Sequence, residues 1–157
     1  MTKHLFAALA VAALVSPAMA QNTTGTIIGT LDGASASWTF SAAQSDFFWD
    51  TNYASISLMG WPEAAPEGFA MISIGFGLQQ GSPENPEALL MPRGDGPALF
   101  GRDIEITLTE AGIEGEALRL SGSLSGVLGQ TTNQGASVDM SAPRQINLTF
   151  DGIIAAL

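Results

Sequence analysis

The sequence predicts an all-β fold: an antiparallel β-sandwich of the jelly-roll or Ig-like kind, or a small β-barrel, with about seven strands. Three observations predict it. Apolar and polar residues alternate with a period of two in several segments, which is typical of half-buried strands. After residue 20 no segment carries apolar residues at helical spacing. Short segments rich in Gly, Pro, Asp and Asn separate the alternating runs, as turns do.

The first two strands are predicted at Thr26–Leu31 and Ala34–Phe40, which flank Asp32-Gly33. An Asp-Gly pair between two alternating runs indicates a type I′ hairpin, because both central residues of that turn need a positive φ. The turn fixes the register of the hairpin and gives it one apolar face. The predicted pairs are Leu31 with Ala34, Gly29 with Ala36 and Ile27 with Trp38. The predicted apolar face comprises Ile27, Gly29, Leu31, Ala34, Ala36, Trp38 and Phe40.

Ser41–Asp50 is predicted to be a connection, and it contains three consecutive aromatic residues. Tyr53–Met59 alternates again and predicts a third strand. Trp61–Gly68, which is rich in Pro and Glu, is predicted to be a loop, and Phe69–Gln79 is predicted to be a strand.

Gln80–Gly101 carries four prolines and four glycines, so it is predicted to be a long loop, compatible with one helical turn at Ala88–Leu90. Arg102–Thr109 alternates and predicts a strand, and Ala111–Glu116 predicts an acidic turn after it.

Ala117–Leu128 predicts a further strand, with Gly122 and Gly126 on its inner face, where they indicate a bend or a closely packed neighbour. Gly129–Pro143 is predicted to be a polar loop. Gln145–Ala156 is predicted to be the closing strand, with a bulge or turn at Asp151-Gly152.

Residues 1–20 have the three parts of a secretory signal peptide. Lys3 and His4 form a short positive start, Leu5–Val15 is an unbroken apolar run, and Ala18–Ala20 ends in the small residues that a signal peptidase recognises. The run of 11 residues is short of the ~20 that a membrane-spanning helix needs. We therefore expect 1–20 to be a cleaved signal peptide, 21–157 to be a single β-rich domain, and the protein to be exported, either periplasmic or secreted.

Export leaves a domain with unusual composition. Residues 21–157 contain no lysine, histidine or cysteine, and four arginines stand against fifteen carboxylates, a net charge of −11. This charge disfavours nucleic acid and anionic membrane surfaces as partners and favours a basic partner or a cation. We also expect no membrane insertion of the mature chain, because an outer-membrane barrel needs aromatic girdles that the chain lacks.

The missing side chains exclude several chemistries. Without histidine, cysteine or lysine the domain holds no Ser-His-Asp triad, no Cys-His pair and no Schiff base, and the usual zinc and copper ligands are absent. Carboxylates at Asp103, Glu105 and Glu110–Glu116 are compatible with Ca²⁺, but no calcium-loop motif accompanies them. No cofactor is therefore expected.

The candidate binding residues lie around the aromatic cluster. Three consecutive aromatic residues in an extended chain cannot all face one core, so at least one should be exposed or lodged under a loop. Exposed aromatics mark recognition sites for sugars or proteins, whereas the competing interpretation is a core anchor at the end of the sheet. The candidates are Asp46, Phe47, Phe48, Trp49, Asp50 and Trp61.

These observations favour an exported, non-catalytic β-domain with a ligand-binding, partner-binding or surface-structural role. One alternative is a small glycan hydrolase that uses two carboxylates, for which Asp46/Asp50 and Glu63/Glu67 are the candidate pairs. Another is an acidic inhibitor or chaperone of a basic exported partner. The expected partners are accordingly a glycan or a basic protein.

Overall fold

The computed structural model describes residues 23–64 and 68–156. The signal peptide predicted at residues 1–20 lies outside these residues, and so do the side chains of the Glu63/Glu67 pair.

The described residues form an all-β fold with ten strands in one antiparallel sheet, so the prediction of an all-β fold is confirmed and the count of about seven strands is too low. No helix that is long and apolar enough to cross a membrane occurs in these residues. The strands are β1 (Thr24–Leu31), β2 (Ala34–Phe40), β3 (Asp46–Asp50), β4 (Tyr53–Ala64), β5 (Phe69–Gln79), β6 (Ser82–Pro92), β7 (Ala98–Gly101), β8 (Ile104–Glu114), β9 (Ala117–Thr131) and β10 (Asp139–Ala155).

The strands pair in the order β10-β1-β2-β4-β5-β6-β7-β9, and β9 pairs in turn with β10. The hydrogen-bonded path therefore returns to the strand from which it started. At two places along this path, two successive strands pair with the same neighbouring strand. β2 and β3 both pair with β4, and β7 and β8 both pair with β9.

The first hairpin has the predicted register. Leu31 pairs with Ala34, and Ile27 pairs with Trp38. The turn has φ of 48° at Asp32 and 80° at Gly33, as a type I′ turn requires. Local sequence therefore determines this element, because the turn sets the register and the alternation sets the buried face.

The segment predicted as one long loop from Gln80 to Gly101 instead contains β6 and β7, and Ala88–Leu90 is strand, not helix. β5 and β6 form a hairpin whose turn residues Gln80 and Gly81 both have positive φ. Pro83 and Pro86 lie at the end of β6 where, among the described strands, only β5 pairs with it. The other edge of β6 needs no backbone donors there, which is part of the reason that the prolines are tolerated.

Other predicted loops are shorter than expected. Ser41–Asp50 contains the strand β3, and β4 continues through Ala64 into the predicted loop. The predicted acidic turn is mostly the end of β8, and β10 starts at Asp139. No bulge occurs at Asp151-Gly152, since both residues pair in continuous register with β9.

The core lies on the inward positions of the alternating strands. Gly122 and Gly126 have closely packed neighbours, as predicted, because a Cβ atom at either would lie within 3 Å of β8 atoms. The largest fully buried side chains are Trp38, Phe150, Ile27, Leu31, Ile56, Leu58, Ile72, Ile74, Leu90, Leu118, Leu120 and Leu124.

The turn of the first hairpin is also attached to β10. The backbone N–H of Asp32 donates to the carbonyl of Gln145 at 2.8 Å, and the N–H of Gln145 donates to the Asp32 carboxylate at 2.7 Å. The Arg144 guanidinium forms an ion pair with the same carboxylate. The hydrogen bond from Gln145, together with Arg144, lowers the pKa of Asp32 below its usual value.

Asp32→Asn should therefore flatten the dependence of stability on pH. A carboxylate with a lowered pKa in the folded state stabilises the fold above its ordinary pKa, near 4, and that contribution disappears as the pH falls through the folded-state value. Since both partners are partly exposed, we expect a difference of under about 1 kcal/mol at pH 7. Urea unfolding at pH 7 and pH 2 measures it. An equal difference at both pH values would contradict the prediction, and Asp95→Asn in the loop after β6 is the control.

Candidate functional site

The aromatic cluster predicted from the sequence lies in β3, and the strand divides its side chains between two faces. Phe47 is buried in the core opposite Ile56, which is the position of a core anchor. Phe48 points the other way and is 57% exposed. Asp46 and Asp50 share the outer face with Phe48, because side chains alternate along a strand.

The two tryptophans do not join Phe48 on that surface. Trp49 is 47% exposed, but it lies on the same side of the sheet as Phe47, opposite the buried Ala54. Trp61 is 49% exposed and its indole Nε1 donates to Gln44 at 3.1 Å. Phe48 pairs with Ser55 of β4, and Trp61 is six positions further along that strand. Six positions of a strand span about 20 Å. The structure thus keeps Asp46, Phe48 and Asp50 together and separates the other candidates.

Three rows of paired residues cross the outer face of β3, β4, β5 and β6. Each row begins at one of the outward residues of β3 and ends on β6, about 14 Å away by the usual spacing of strands. The rows are Asp46–Ser57–Gly75–Glu87, Phe48–Ser55–Gly77–Glu84 and Asp50–Tyr53–Gln79–Ser82. We name this surface the acidic aromatic face and define it by Asp46, Phe48, Asp50, Tyr53, Glu84 and Glu87.

Small residues form the floor of the acidic aromatic face, and larger side chains fold over it. A Cβ atom at Gly77 would lie 2.9 Å from the Tyr53 ring, so this ring rests directly on the glycine. A Cβ atom at Gly75 would lie 3.4 Å from Cγ of Glu87 and 3.5 Å from its Oε1. Tyr53 is nevertheless 45% exposed. The absence of side chains on the two glycines therefore lets a tyrosine ring and a carboxylate lie low on neighbouring positions of the sheet.

The charge of this surface has one sign. Residues 46–92 contain no lysine and no arginine, so β3 to β6 contribute carboxylates alone. The Gln79 amide, oriented so that its nitrogen donates, lies 2.8 Å and 3.1 Å from the two oxygens of Glu84 and holds that carboxylate beside Tyr53. Aromatic rings attract cations through their negatively charged faces, and nearby carboxylates strengthen the attraction. The arrangement can therefore hold an ammonium or guanidinium group.

The same geometry bears on the carboxylate pair Asp46/Asp50. Asp50 is four positions after Asp46 in an extended strand, so their Cα atoms are about 13 Å apart. The carboxyl groups of glycoside hydrolases are about 5–9.5 Å apart. Asp50 also accepts hydrogen bonds from the backbone N–H and the hydroxyl of Thr51. Side chains stand roughly perpendicular to a sheet, so the two carboxyl groups lie about as far apart as their Cα atoms, which is wider than the spacing that glycoside hydrolysis uses.

Sequence reasoning missed Tyr53, Glu84 and Glu87. One signal in the sequence indicates the surface on which they lie. Ser55, Ile56 and Ser57 alternate, as do Gly75, Phe76 and Gly77, so each strand presents small residues on its polar side. Glu84 and Glu87 were assigned to a loop because of the neighbouring prolines, and their position across from the two glycines depends on the β5–β6 register.

A cleft of about 400 Å³ lies elsewhere, between the start of β8 and the loop after β9. Its apolar lining includes Phe100, Val127 and Met140. Arg102 stacks 5.4 Å from the centre of the Phe100 ring and donates to the carbonyl of Gly135 at 3.3 Å. These contacts explain the cleft residues as packing of the loop, so the acidic aromatic face is the stronger candidate site.

No group of three or more His, Cys, Asp or Glu side chains within residues 23–64 and 68–156 is placed to hold a metal ion. The sequence offers Asp103, Glu105 and Glu110–Glu116 as calcium ligands. Glu105, Glu110 and Glu114 lie along β8, and Asp103 and Glu116 flank it.

Comparison of the chain with family models, with curated proteins and with solved structures finds no match.

Proposed function

We propose that this chain is an exported, non-catalytic binding domain that holds cationic groups of a basic exported partner on the acidic aromatic face. The observation that carries the proposal is the exposure of Phe48 and Tyr53 on a surface whose charged groups are all carboxylates. Large aromatic side chains are normally buried, and exposed ones mark recognition sites.

The composition supports the same function. After the proposed removal of residues 1–20, no imidazole, thiol or lysine amine remains to act as a nucleophile or base at neutral pH, whereas the net charge of −11 attracts basic partners. The partner would meet this protein in the periplasm or outside the cell.

A closed β-barrel with a packed interior is the scaffold that we propose for this surface. The pairing of β9 with β10 supports closure, and the inward residues of the strands fill the interior with apolar side chains. An interior filled with apolar side chains supports recognition on the outer face. A rigid sheet also holds the aromatic rings and carboxylates at fixed spacing, so less entropy is lost on binding.

Phe48→Ala and Tyr53→Ala should each weaken the binding of a hexaarginine peptide by about five- to tenfold, because each change removes one ring that faces the guanidinium groups. Glu84→Gln and Glu87→Gln should weaken it less, and binding should fall as salt rises, since exposed charges are screened. Titration calorimetry on the purified protein, at low and at physiological salt, measures both effects.

Trp61→Ala is the matched control, since Trp61 is an exposed aromatic residue outside the acidic aromatic face. Equal loss of affinity in Trp61→Ala and Phe48→Ala would contradict the assignment of the site. Neutral hexameric glycans, such as chitohexaose, test the other partner class. Binding of the glycan but not of hexaarginine would replace the cationic partner with a sugar.

A further inference from the structure

β8 has a free edge. In the described part of the chain β8 pairs with β9 alone, from Ile104 to Glu114, although it occupies a position next to β6. β8 lies close to β6, but no backbone pairing joins β8 to β6 in the described residues. A strand edge without a partner presents unpaired backbone N–H and C=O groups and is a template for another strand.

The far half of this edge also leaves apolar side chains uncovered. A row of inward residues crosses three strands from Ile154 through Leu118 to Ile113. The first two are fully buried, whereas Ile113 is 41% exposed. Ala111 is exposed as well, although its partner Leu120 is fully buried. The core side of the sheet therefore ends at Ala111 and Ile113 without a strand to cover them.

The near half of β8 differs from the far half. Ile104 and Ile106 are buried, so the core side is already covered there. A register shift between Leu108 and Glu110 separates the two halves. A bulge of this kind interrupts pairing along an edge, which confines a possible added strand to Glu110–Glu114.

The neighbouring edge of β6 is unsuitable for strand addition, and this contrast singles out β8. Pro83 and Pro86 remove two backbone donors from the exposed end of β6, whereas β8 contains no proline and keeps all of its donors. Proline is one of the devices by which proteins protect a strand edge from pairing, and the far half of β8 lacks it.

The charges along β8 decide which strand fits. Glu110 and Glu114 lie on the outer side of the edge, and Glu116 follows in the turn. Arg119 contacts Glu110 at 3.3 Å, while Glu114 makes no ion pair with any described residue. A second copy of the same edge would place like charges opposite each other, which is destabilising. A strand with basic residues outward and apolar residues inward meets both the carboxylates and the uncovered Ile113.

We infer that the free edge at Glu110–Glu114 receives an extended segment of a partner protein, in which Lys or Arg alternates with apolar residues, by antiparallel strand addition. Backbone hydrogen bonds hold the added strand, Ala111 and Ile113 take its apolar side chains, and the carboxylates select its basic ones. The inference goes beyond the proposed function, because it uses residues of β8 and not those of the acidic aromatic face.

Three heptapeptides test the inference on the purified protein, with amide hydrogen exchange as the readout. The first is Lys-Val-Lys-Val-Lys-Val-Lys, the second carries Glu in place of Lys, and the third carries Pro in place of the central Val. The first peptide should protect the amides of Glu110–Glu114, because strand addition satisfies their unpaired groups. The Glu peptide should bind at least about tenfold more weakly because of like charge, and the Pro peptide should give no protection there.

Ile113→Asp and Glu114→Lys should each weaken binding of the first peptide by about tenfold. Asp95→Lys, an exposed charge change away from β8, is the control. Far-UV circular dichroism verifies that each variant is folded, and the exposed Glu114 makes misfolding of Glu114→Lys unexpected. Equal binding of the Lys and Glu peptides, or protection that is absent from Glu110–Glu114, would overturn the inference. Loss of hexaarginine binding in Phe48→Ala is independent of that outcome, so the two proposals fail separately.

Discussion

Replacing Trp38 by alanine should lower the free energy of unfolding by about 3–5 kcal/mol, the usual range for removing a buried aromatic side chain. Trp38 is the largest of the fully buried side chains and lies on β2 opposite Ile27. Its Cβ atom packs 2.8 Å from the position that a Cβ atom would take at Gly60 on β4. Truncation removes the indole from the core and leaves a cavity there that the surrounding side chains fill only in part.

Urea unfolding followed by circular dichroism measures this loss of stability, and two further variants serve as comparisons. Trp61→Ala should change stability by less than about 1 kcal/mol, because that indole is half-exposed. Trp38→Phe should be milder than Trp38→Ala, since it keeps a ring in the core and removes an indole N–H that has no hydrogen-bond partner among the described residues. A Trp38→Ala loss no larger than that of Trp61→Ala would show that this part of the core repacks.

Gly29→Val should be nearly as damaging, with an expected loss of about 3 kcal/mol, at the upper end of the usual range for overpacking. A Cβ atom at Gly29 would lie 2.0 Å from the carbonyl oxygen of Asn147 and 2.7 Å from Cα of Leu148. These are backbone atoms of β10, so no rotation of a side chain relieves the clash. The β1–β10 pairing would have to shift, although this pairing joins the first and last described strands.

Gly112→Ala is the matched control for that prediction. Gly112 lies in β8, and apart from its two chain neighbours no described residue has an atom within 4 Å of the position that its Cβ would take. Alanine there should be neutral or slightly stabilising, since it restricts the unfolded chain. Thermal unfolding compares the two variants, and a similar decrease in Tm for both would contradict the steric explanation.

Much of the strand pattern could be predicted from the sequence, because alternation and turn chemistry are local. The hairpin from Thr26 to Phe40 shows this most clearly, since its register follows from the Asp32-Gly33 turn. Turn chemistry wrongly predicted a loop at β6, because the strand contains Pro83 and Pro86. The two prolines are tolerated because the free edge of β6 needs no backbone N–H donors there.

The candidate site was predicted in part. Three consecutive aromatic residues at Phe47 to Trp49 imply that at least one lies outside the core, and Phe48 is indeed exposed. Two of its neighbours on the outer face, Glu84 and Glu87, come from β6, up to 39 residues later in the sequence. No local pattern contains that pairing, so Glu84 and Glu87 could not be joined to Phe48 by sequence reasoning.

The sequence by itself determined the all-β fold, the first hairpin, the inward apolar residues and the acidic charge, since each depends on residues close together in the chain or on composition alone. The tertiary structure decided which strands meet. Pairing between distant segments closes the path at β9 and β10, brings Glu84 and Glu87 across from Phe48, and leaves the far edge of β8 unpaired. The physical reason is that the register between strands far apart in sequence depends on the packing of the whole core.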